Sequence, residues 1–356
     1  MDRRTFLQLP VVAGALRGGL AAAAEEPGSQ RLSLQALRAW ETLGYGMFIH
    51  FGMSTYDGDE LSAGDKPSSF YNPTALDVDQ WVSVARDAGM KYAVLTTKHV
   101  AGHCLWPTRL NDYHVGTSGN KTDVVAAFVK ACERRGIMPG FYYCSWDNHN
   151  RFGSFTMSDE MAMRKADRLK GATVPSAYVT RAYEDFQSAQ LQELLTGYGK
   201  IGEVWIDIPM VLSRDYRNRL YHQIATWQPE TIVMMNHGFG DGSEINTSNV
   251  WPTDILAIER FLPNGATGYQ PWRTVEGKEY YIPGEVCDPI GKQWFYVDTD
   301  RPRSDAELLG MYLLCRSRGA NLLLDVPPDK SGVIPQRFVD ALLRLRGNLD
   351  KVGMRM

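Results

Sequence analysis

Apolar runs of five to seven residues recur along the chain, and between most of them lie longer stretches whose apolar residues fall three and four apart. A short run that is apolar on both faces predicts a strand covered on both sides, as in a parallel sheet, whereas the three-and-four spacing predicts amphipathic helices. Eight strands follow: Tyr45 to His50, Tyr92 to Thr97, Pro139 to Cys144, Glu203 to Asp207, Thr231 to Asn236, Asp254 to Glu259, Tyr280 to Glu285 and Ala320 to Val326. The helices are Val78 to Ala88, Thr122 to Arg135, Ala177 to Tyr198, Arg214 to Trp227, Asp305 to Arg318 and Pro335 to Leu345, with Asp77 and Ser304 as N-caps. Strands alternating with crossover helices, with no Pro-, Gly- or Ser-rich linker, predict an α/β fold. Its form is a (β/α)8-type, TIM-like barrel making one catalytic domain over residues 25–356. His237 to Thr253 and Leu262 to Glu279 read as long loops, so the barrel is expected to be irregular on that side.

The first residues break this pattern. Arg3-Arg4 precede an apolar, Gly- and Ala-rich run from Leu9 to Leu20, and Ala21 to Ala24 offer small-residue cleavage sites. Residues 1–24 therefore read as a twin-arginine export signal, and a periplasmic or secreted location is expected. Pro10, Gly14, Gly18 and Gly19 would break an ordinary helix there, and the run is too short to span a bilayer, so no membrane insertion is expected once it is removed.

Composition narrows the partner. The chain has 356 residues, of which 44% are hydrophobic and 22% charged, with a net charge of −3. Without a basic run there is no footprint for nucleic acid, which points to a small neutral partner. Five Cys with no C-x-x-C pair support neither a disulfide framework nor a structural zinc site.

In a parallel barrel the chemistry lies at the C-terminal ends of the strands. Those ends carry His50, Lys98-His99, Trp146-Asp147, Asp207, Asn236-His237, Glu259, Glu285 and Asp325. Asp207 follows Val204-Trp205-Ile206 on a central strand, where a carboxylate without donors would cost several kcal/mol. It reads as a nucleophile or base, or as a buried Asp held by Arg or backbone donors. Glu259 and Glu285 end their runs in the same way, and each is a candidate second carboxylate. Two such groups suit glycoside hydrolysis, one attacking the anomeric carbon and the other serving as acid and then base. His99 and His103 straddle a strand end and the Gly102 loop, so a hydroxylated ligand or a satisfied core position suits them better than a metal; no metal and no other cofactor is expected.

Several ordered segments resemble the α-L-fucosidases of glycoside hydrolase family 29. Tyr45-Gly46-Met47-Phe48-Ile49-His50-Phe51-Gly52, Asp87 to Tyr92 and Leu95 to His99 are similar to its opening strands. Trp205-Ile206-Asp207 resembles its nucleophile segment and Thr253 to Glu259 the segment ending in its acid/base. Gly284-Glu285-Val286-Cys287 with Trp294-Phe295, and Gly319 to Pro328, resemble its last two strands. The resemblance covers nearly all of Tyr45 to Arg346. It implies a retaining exo-glycosidase acting on fucosylated glycans, with Asp207 as nucleophile, Glu259 as acid/base and Glu285 as the alternative acid/base. It also implies a sugar subsite lined by His50, His99, Tyr143 and Trp205, and Trp146, just past the third strand, is grouped with them.

The chain departs from the family pattern in three places. Where the family has two consecutive His followed by Asp-Gly-Phe, His99 is followed by Val100-Ala101-Gly102-His103, so His103 is the candidate replacement for a lost sugar contact. The Arg that many members carry after strand five is not found at Asn236-His237-Gly238. The C-terminal β-sandwich common in the family is not expected. The alternatives are a same-fold glycosidase for another sugar, a carbohydrate-binding protein without turnover and, last, a metal-dependent hydrolase using His99 and His103.

Overall fold

The computed structural model describes residues 28–150, 180–236, 238, 240–266 and 268–354. The export-signal assignment of residues 1–24, the start of the helix expected from Ala177, and His237 lie outside them. Eight parallel strands form one sheet: β1 (Tyr45–Ile49), β2 (Tyr92–Lys98), β3 (Met138–Cys144), β4 (Glu203–Asp207), β5 (Ile232–Met235), β6 (Leu256–Glu259), β9 (Gly284–Pro289) and β10 (Asn321–Asp325). Their order is β5-β4-β3-β2-β1-β10-β9-β6. The two ends of that order meet through a parallel bridge between Met234 and Ile255. Asp254 fastens the seam, its backbone N–H donating to Val233 O at 2.8 Å while its carboxylate accepts the Val233 N–H at 2.8 Å and hydrogen bonds from Arg31 and Tyr221. The expected (β/α)8 barrel is therefore present.

The helices between strands follow their caps. α1 (Leu34–Glu41) precedes β1, and the short α2 (Met53–Asp57) follows it. α3 (Val78–Asp87) begins at Asp77, whose side chain accepts from Gln80 N, and α4 (Val124–Arg135) at Asp123, which accepts from Ala126 N. α5 (Arg181–Gly197) and α6 (Arg214–Trp227) flank β4. α8 (Asp305–Ser317) opens on a reciprocal capping box between Ser304 and Glu307. α9 (Gln336–Lys351) closes the described chain.

Two expectations need correction. Tyr280 to Glu285 is not one barrel strand. Residues Trp272–Val275 (β7) and Lys278–Tyr281 (β8) form an antiparallel hairpin, and the seventh barrel strand starts only at Gly284. Pro283 has no N–H to donate and ends the hairpin strand, and the tight turn Glu276-Gly277 takes positive φ of 53° and 85°. The stretch read as a loop after strand five holds a one-turn helix, α7 (Thr247–Val250).

The barrel interior is layered. Side chains two apart on a strand share a face, so Glu203, Trp205 and Asp207 of β4 all point inward at successive heights. Glycines make room for the lowest layer. A Cβ on Gly46 would lie 2.6 Å from the Tyr92 ring, and one on Gly140 would lie 3.2 Å from the Glu203 Cβ. A register shift between Thr96 and Lys98 ends β2. It turns Lys98 outward to a buried ion pair with Asp147 at 2.9 Å and leaves His99, rather than Lys98, on the inner face.

Candidate active site

Asp207 ends β4 at the C-terminal rim, where its carboxylate meets three donors. Tyr142 Oη donates to Oδ2 at 2.6 Å, Asn236 Nδ2 donates to Oδ1 at 2.7 Å, and the Ile208 N–H adds a backbone donor. Burial raises its pKa from the ordinary carboxylate range, while those donors and His50 pull it back. Ile208 sits at a positive φ of 52° just past the strand.

Glu259 ends β6 at the same height. Asn236 Nδ2 also donates to Glu259 Oε2 at 2.9 Å, so one amide nitrogen bridges the two carboxylates. Oxygens 2.7 and 2.9 Å from a common nitrogen are at most about 5.6 Å apart. Burial first, and then the negative charge of Asp207, raise the Glu259 pKa to about 7. Burial raises both carboxyl groups; the donors on Asp207 favour its ionised form, while Glu259 is raised to about 7.

An aromatic collar surrounds them. His50 Nδ1 lies 2.8 Å from Asp325 Oδ1, and burial pushes the imidazole pKa down to about 3, so the ring is neutral with Nδ1–H donated to Asp325. His50 packs against Trp294 at 5.1 Å and Phe295 at 5.2 Å between ring centroids. His99 stacks on Tyr142 at 5.5 Å and 17°, and burial lowers its pKa well below the usual range. At the mouth, Arg260 lies 4.7 Å above the Trp294 ring and 3.8 Å from Asp288. The Glu60 carboxyl is raised by burial and faces the charges of Arg260, Asp207 and Asp325.

The other residues singled out from sequence lie elsewhere. Tyr143 faces out of the barrel, its hydroxyl donating to Gln190 Oε1 on α5 at 2.7 Å; its neighbour Tyr142 faces the carboxylates instead. His103 is buried among Tyr71, Tyr113 and Ser118, with Nε2 2.8 Å from Ser118 Oγ. Trp146 is buried and donates to Asn148 Oδ1 at 2.6 Å. Trp205 lies one layer below Asp207 and donates from Nε1 to Glu285 Oε2 at 2.9 Å. Glu285, expected at a strand end, is the second residue of its strand and sits in the lowest layer, because the strand begins four residues later than its apolar pattern suggested. Among the described residues no group of three His, Cys, Asp or Glu side chains is arranged to hold a metal.

Tyr142 is not singled out by the sequence pattern, while Asn236 and Asp325 are named there as strand ends without a role. A cleft of about 840 Å³ opens under the N-terminal end of the barrel beside Trp40, Met138 and Ile232. It includes none of the rim residues, and the convergence of carboxylates, neutral imidazoles and aromatic faces marks the C-terminal rim as the site.

Known proteins resemble this chain in sequence and in fold. Residues 64–353 match the model of a protein family described as Alpha-L-fucosidase. Alpha-L-fucosidase 1 of Arabidopsis thaliana is 30% identical over 334 residues, covering 89% of this chain and 58% of that protein. The structure of alpha-L-fucosidase isoenzyme 1 from Paenibacillus thiaminolyticus superposes with a TM-score of 0.70 at 26% identity, covering 90% of this chain and 76% of that one. A glycoside hydrolase 29 family member from an unknown rumen bacterium superposes with a TM-score of 0.68 at 25% identity, over 90% and 57% of the two chains. This chain spans little more than half the length of the first curated relatives it matches.

Proposed function

The chain belongs to the alpha-L-fucosidase family, and on that premise we propose that it is an exo-acting, retaining glycoside hydrolase releasing terminal α-L-fucose from glycans. The observation that carries the reading is the Asn236 bridge. It keeps Asp207 Oδ1 and Glu259 Oε2 within about 5.6 Å of each other, which supports the close carboxyl pair, roughly 5–5.5 Å apart, of retaining enzymes.

In the first step the Asp207 carboxylate attacks C1 and forms the glycosyl ester, while Glu259 gives its proton to the departing glycosidic oxygen. Tyr142, Asn236 and the Ile208 N–H favour the ionised form of Asp207 that this attack needs, working against the effect of burial. Ester formation cancels the Asp207 charge, and with it one of the causes that raise the Glu259 pKa. Glu259 therefore becomes the better carboxylate just when it must take a proton from water. That water attacks C1, the ester bond breaks, and both groups return to their starting states. Neutral His50 and His99 offer hydrogen bonds to sugar hydroxyls without adding charge, and Trp294 and Phe295 offer apolar faces.

The test is hydrolysis of an aryl α-L-fucoside with NMR of the first-formed sugar. Wild type is expected to release the α-anomer first, and Asp207→Asn to lose turnover; an initial β-anomer, or an Asp207→Asn variant as active as wild type, would overturn the assignment. A second reading, the same mechanism on another sugar, is favoured by Val100, where the family has a second consecutive His, and by the lack of the family's strand-five Arg at Asn236-His237-Gly238. It predicts faster turnover of a different aryl glycoside, still abolished by Asp207→Asn. We also propose export, on the twin-arginine pattern at Arg3-Arg4.

A further inference from the structure

Two layers below the rim, Glu203 of β4 and Glu285 of β9 face one another in the barrel interior, both 0% exposed. Glu285 Oε1 accepts from Tyr92 Oη at 2.6 Å and Oε2 from Trp205 Nε1 at 2.9 Å. Glu203 Oε2 accepts from Trp40 Nε1 of α1 at 3.0 Å, but its Oε1 meets no donor. That oxygen is the one atom of the pair whose environment makes sense only if it carries a proton. The two carboxyl groups are in hydrogen-bonding contact, and burial raises both, Glu203 the more strongly because Glu285 already holds two donors.

We propose that Glu203 and Glu285 share one proton, and that the resulting buried monoanion positions Trp205 beneath the catalytic layer, making Glu285 a positioning residue and not the acid/base. Glu203 Oε1–H donates to Glu285, which then accepts from Tyr92, Trp205 and Glu203 together; three donors stabilise an anion that no Lys or Arg among the described residues pairs with. The titratable groups facing the pair are Tyr92 from β2 and Cys287 from its own strand. Trp205, fixed at its indole nitrogen, supports the rim from below. It stacks on Tyr142 at 5.9 Å and 26° and meets Phe48 edge-on at 5.1 Å. Tyr142 in turn holds Asp207, and Phe48 lies 4.5 Å from the His50 ring. A displacement of Trp205 is therefore transmitted to both the nucleophile and the imidazole.

The kinetic arm rests on the fucosidase reading; the spectroscopic arm does not. At pH 9 the infrared spectrum of wild type is expected to show the carbonyl band of a protonated, buried carboxylic acid that Glu203→Gln removes. Glu285→Ala is expected to shift tryptophan fluorescence, and the shift should vanish in a Trp205→Phe background. A spectrum that Glu203→Gln leaves unchanged would overturn the shared proton, and a fluorescence shift that survives Trp205→Phe would overturn the anchor. In turnover of an activated aryl fucoside, azide should restore Glu259→Ala by replacing the base-activated water, but not Glu285→Ala; rescue of Glu285→Ala would make Glu285 the acid/base. Should Glu285→Ala fail to fold, Glu285→Gln keeps an acceptor for Trp205. Its kcat is expected to fall less than about tenfold, against the roughly 10²–10⁴-fold loss expected for a removed acid/base. Glu203→Gln, whose amide N–H replaces the carboxyl O–H, is expected to rescue what Glu203→Ala loses. If wild type hydrolyses no fucoside, the functional reading fails while the infrared and fluorescence results still decide the pair.

Discussion

The Tyr142 hydroxyl reaches diagonally across two paired strands to donate to Asp207 Oδ2 at 2.6 Å. Tyr142→Phe removes that donor while leaving the ring that stacks on His99. A hydrogen bond to a charged group contributes about 1.5–3 kcal/mol, so kcat/KM is expected to fall roughly 10- to 100-fold. Because the lost donor favoured the ionised form, the Asp207 pKa rises, and the acid limb of the kcat/KM profile should move to higher pH.

In the proposed mechanism Glu259 sets the other limb. Acting there as proton donor, it works below its pKa of about 7, so glycosylation should slow as pH rises through that value. The same group also affects stability. The unfolded chain gives up this proton near 4.5, whereas the folded chain keeps it to about 7. The stabilisation from this group is complete below the unfolded value, declines between 4.5 and about 7, and is lost above. Glu259→Gln removes the titration, so thermal melts should show equal stability for variant and wild type near pH 4. Near pH 8 the variant should be more stable by on the order of 2–3 kcal/mol.

The two histidines four residues apart have opposite expectations. His99 stacks on Tyr142 beside the carboxylates, while His103 hydrogen-bonds to Ser118 away from them. His99→Ala is expected to lower kcat/KM by about tenfold or more, the scale of a lost hydrogen bond at a reacting ligand. His103→Phe should leave kcat/KM within about threefold, since it keeps the buried aromatic packing and gives up only the hydrogen bond to Ser118, away from the carboxylates. Equal losses in the two variants would place His103 at the sugar after all.

The strand ends were legible because each barrel strand finishes an apolar run with a polar residue, and Asp207 and Glu259 do so with carboxylates that an apolar strand would not otherwise keep. What the pattern could not resolve was direction. On a strand buried on both sides, Tyr142 and Tyr143 are equally apolar, and only pairing of Tyr142 with Trp205 across the sheet decides which faces the interior. The bulge between Thr96 and Lys98 hides parity in the same way at His99. Glu285 was misplaced in height because Tyr280-Tyr281-Ile282 continues the apolar run across a hairpin end and a proline. Asn236 carries no charge, and its role exists only where three strand ends converge on its amide.

Glycine makes the last prediction, because its meaning changes from one position to another in this chain. At Gly46 an added Cβ would stand 2.6 Å from the Tyr92 ring. That ring cannot swing away without breaking the Tyr92 to Glu285 hydrogen bond. Overpacking of this kind costs about 1–3 kcal/mol. Gly46→Ala is therefore expected to lower Tm by several degrees and to disturb Trp205 through Glu285. Gly310, inside α8, has nothing within 4 Å of the same added atom. There the methyl group reduces backbone freedom in the unfolded chain and meets no neighbour, so Gly310→Ala should raise stability by about 0.5–1 kcal/mol. Thermal denaturation of the two variants side by side reads both signs. A neutral Gly46→Ala would mean that the lowest layer of the barrel has room to move, which would weaken the case that Glu285 holds Trp205 at a fixed height.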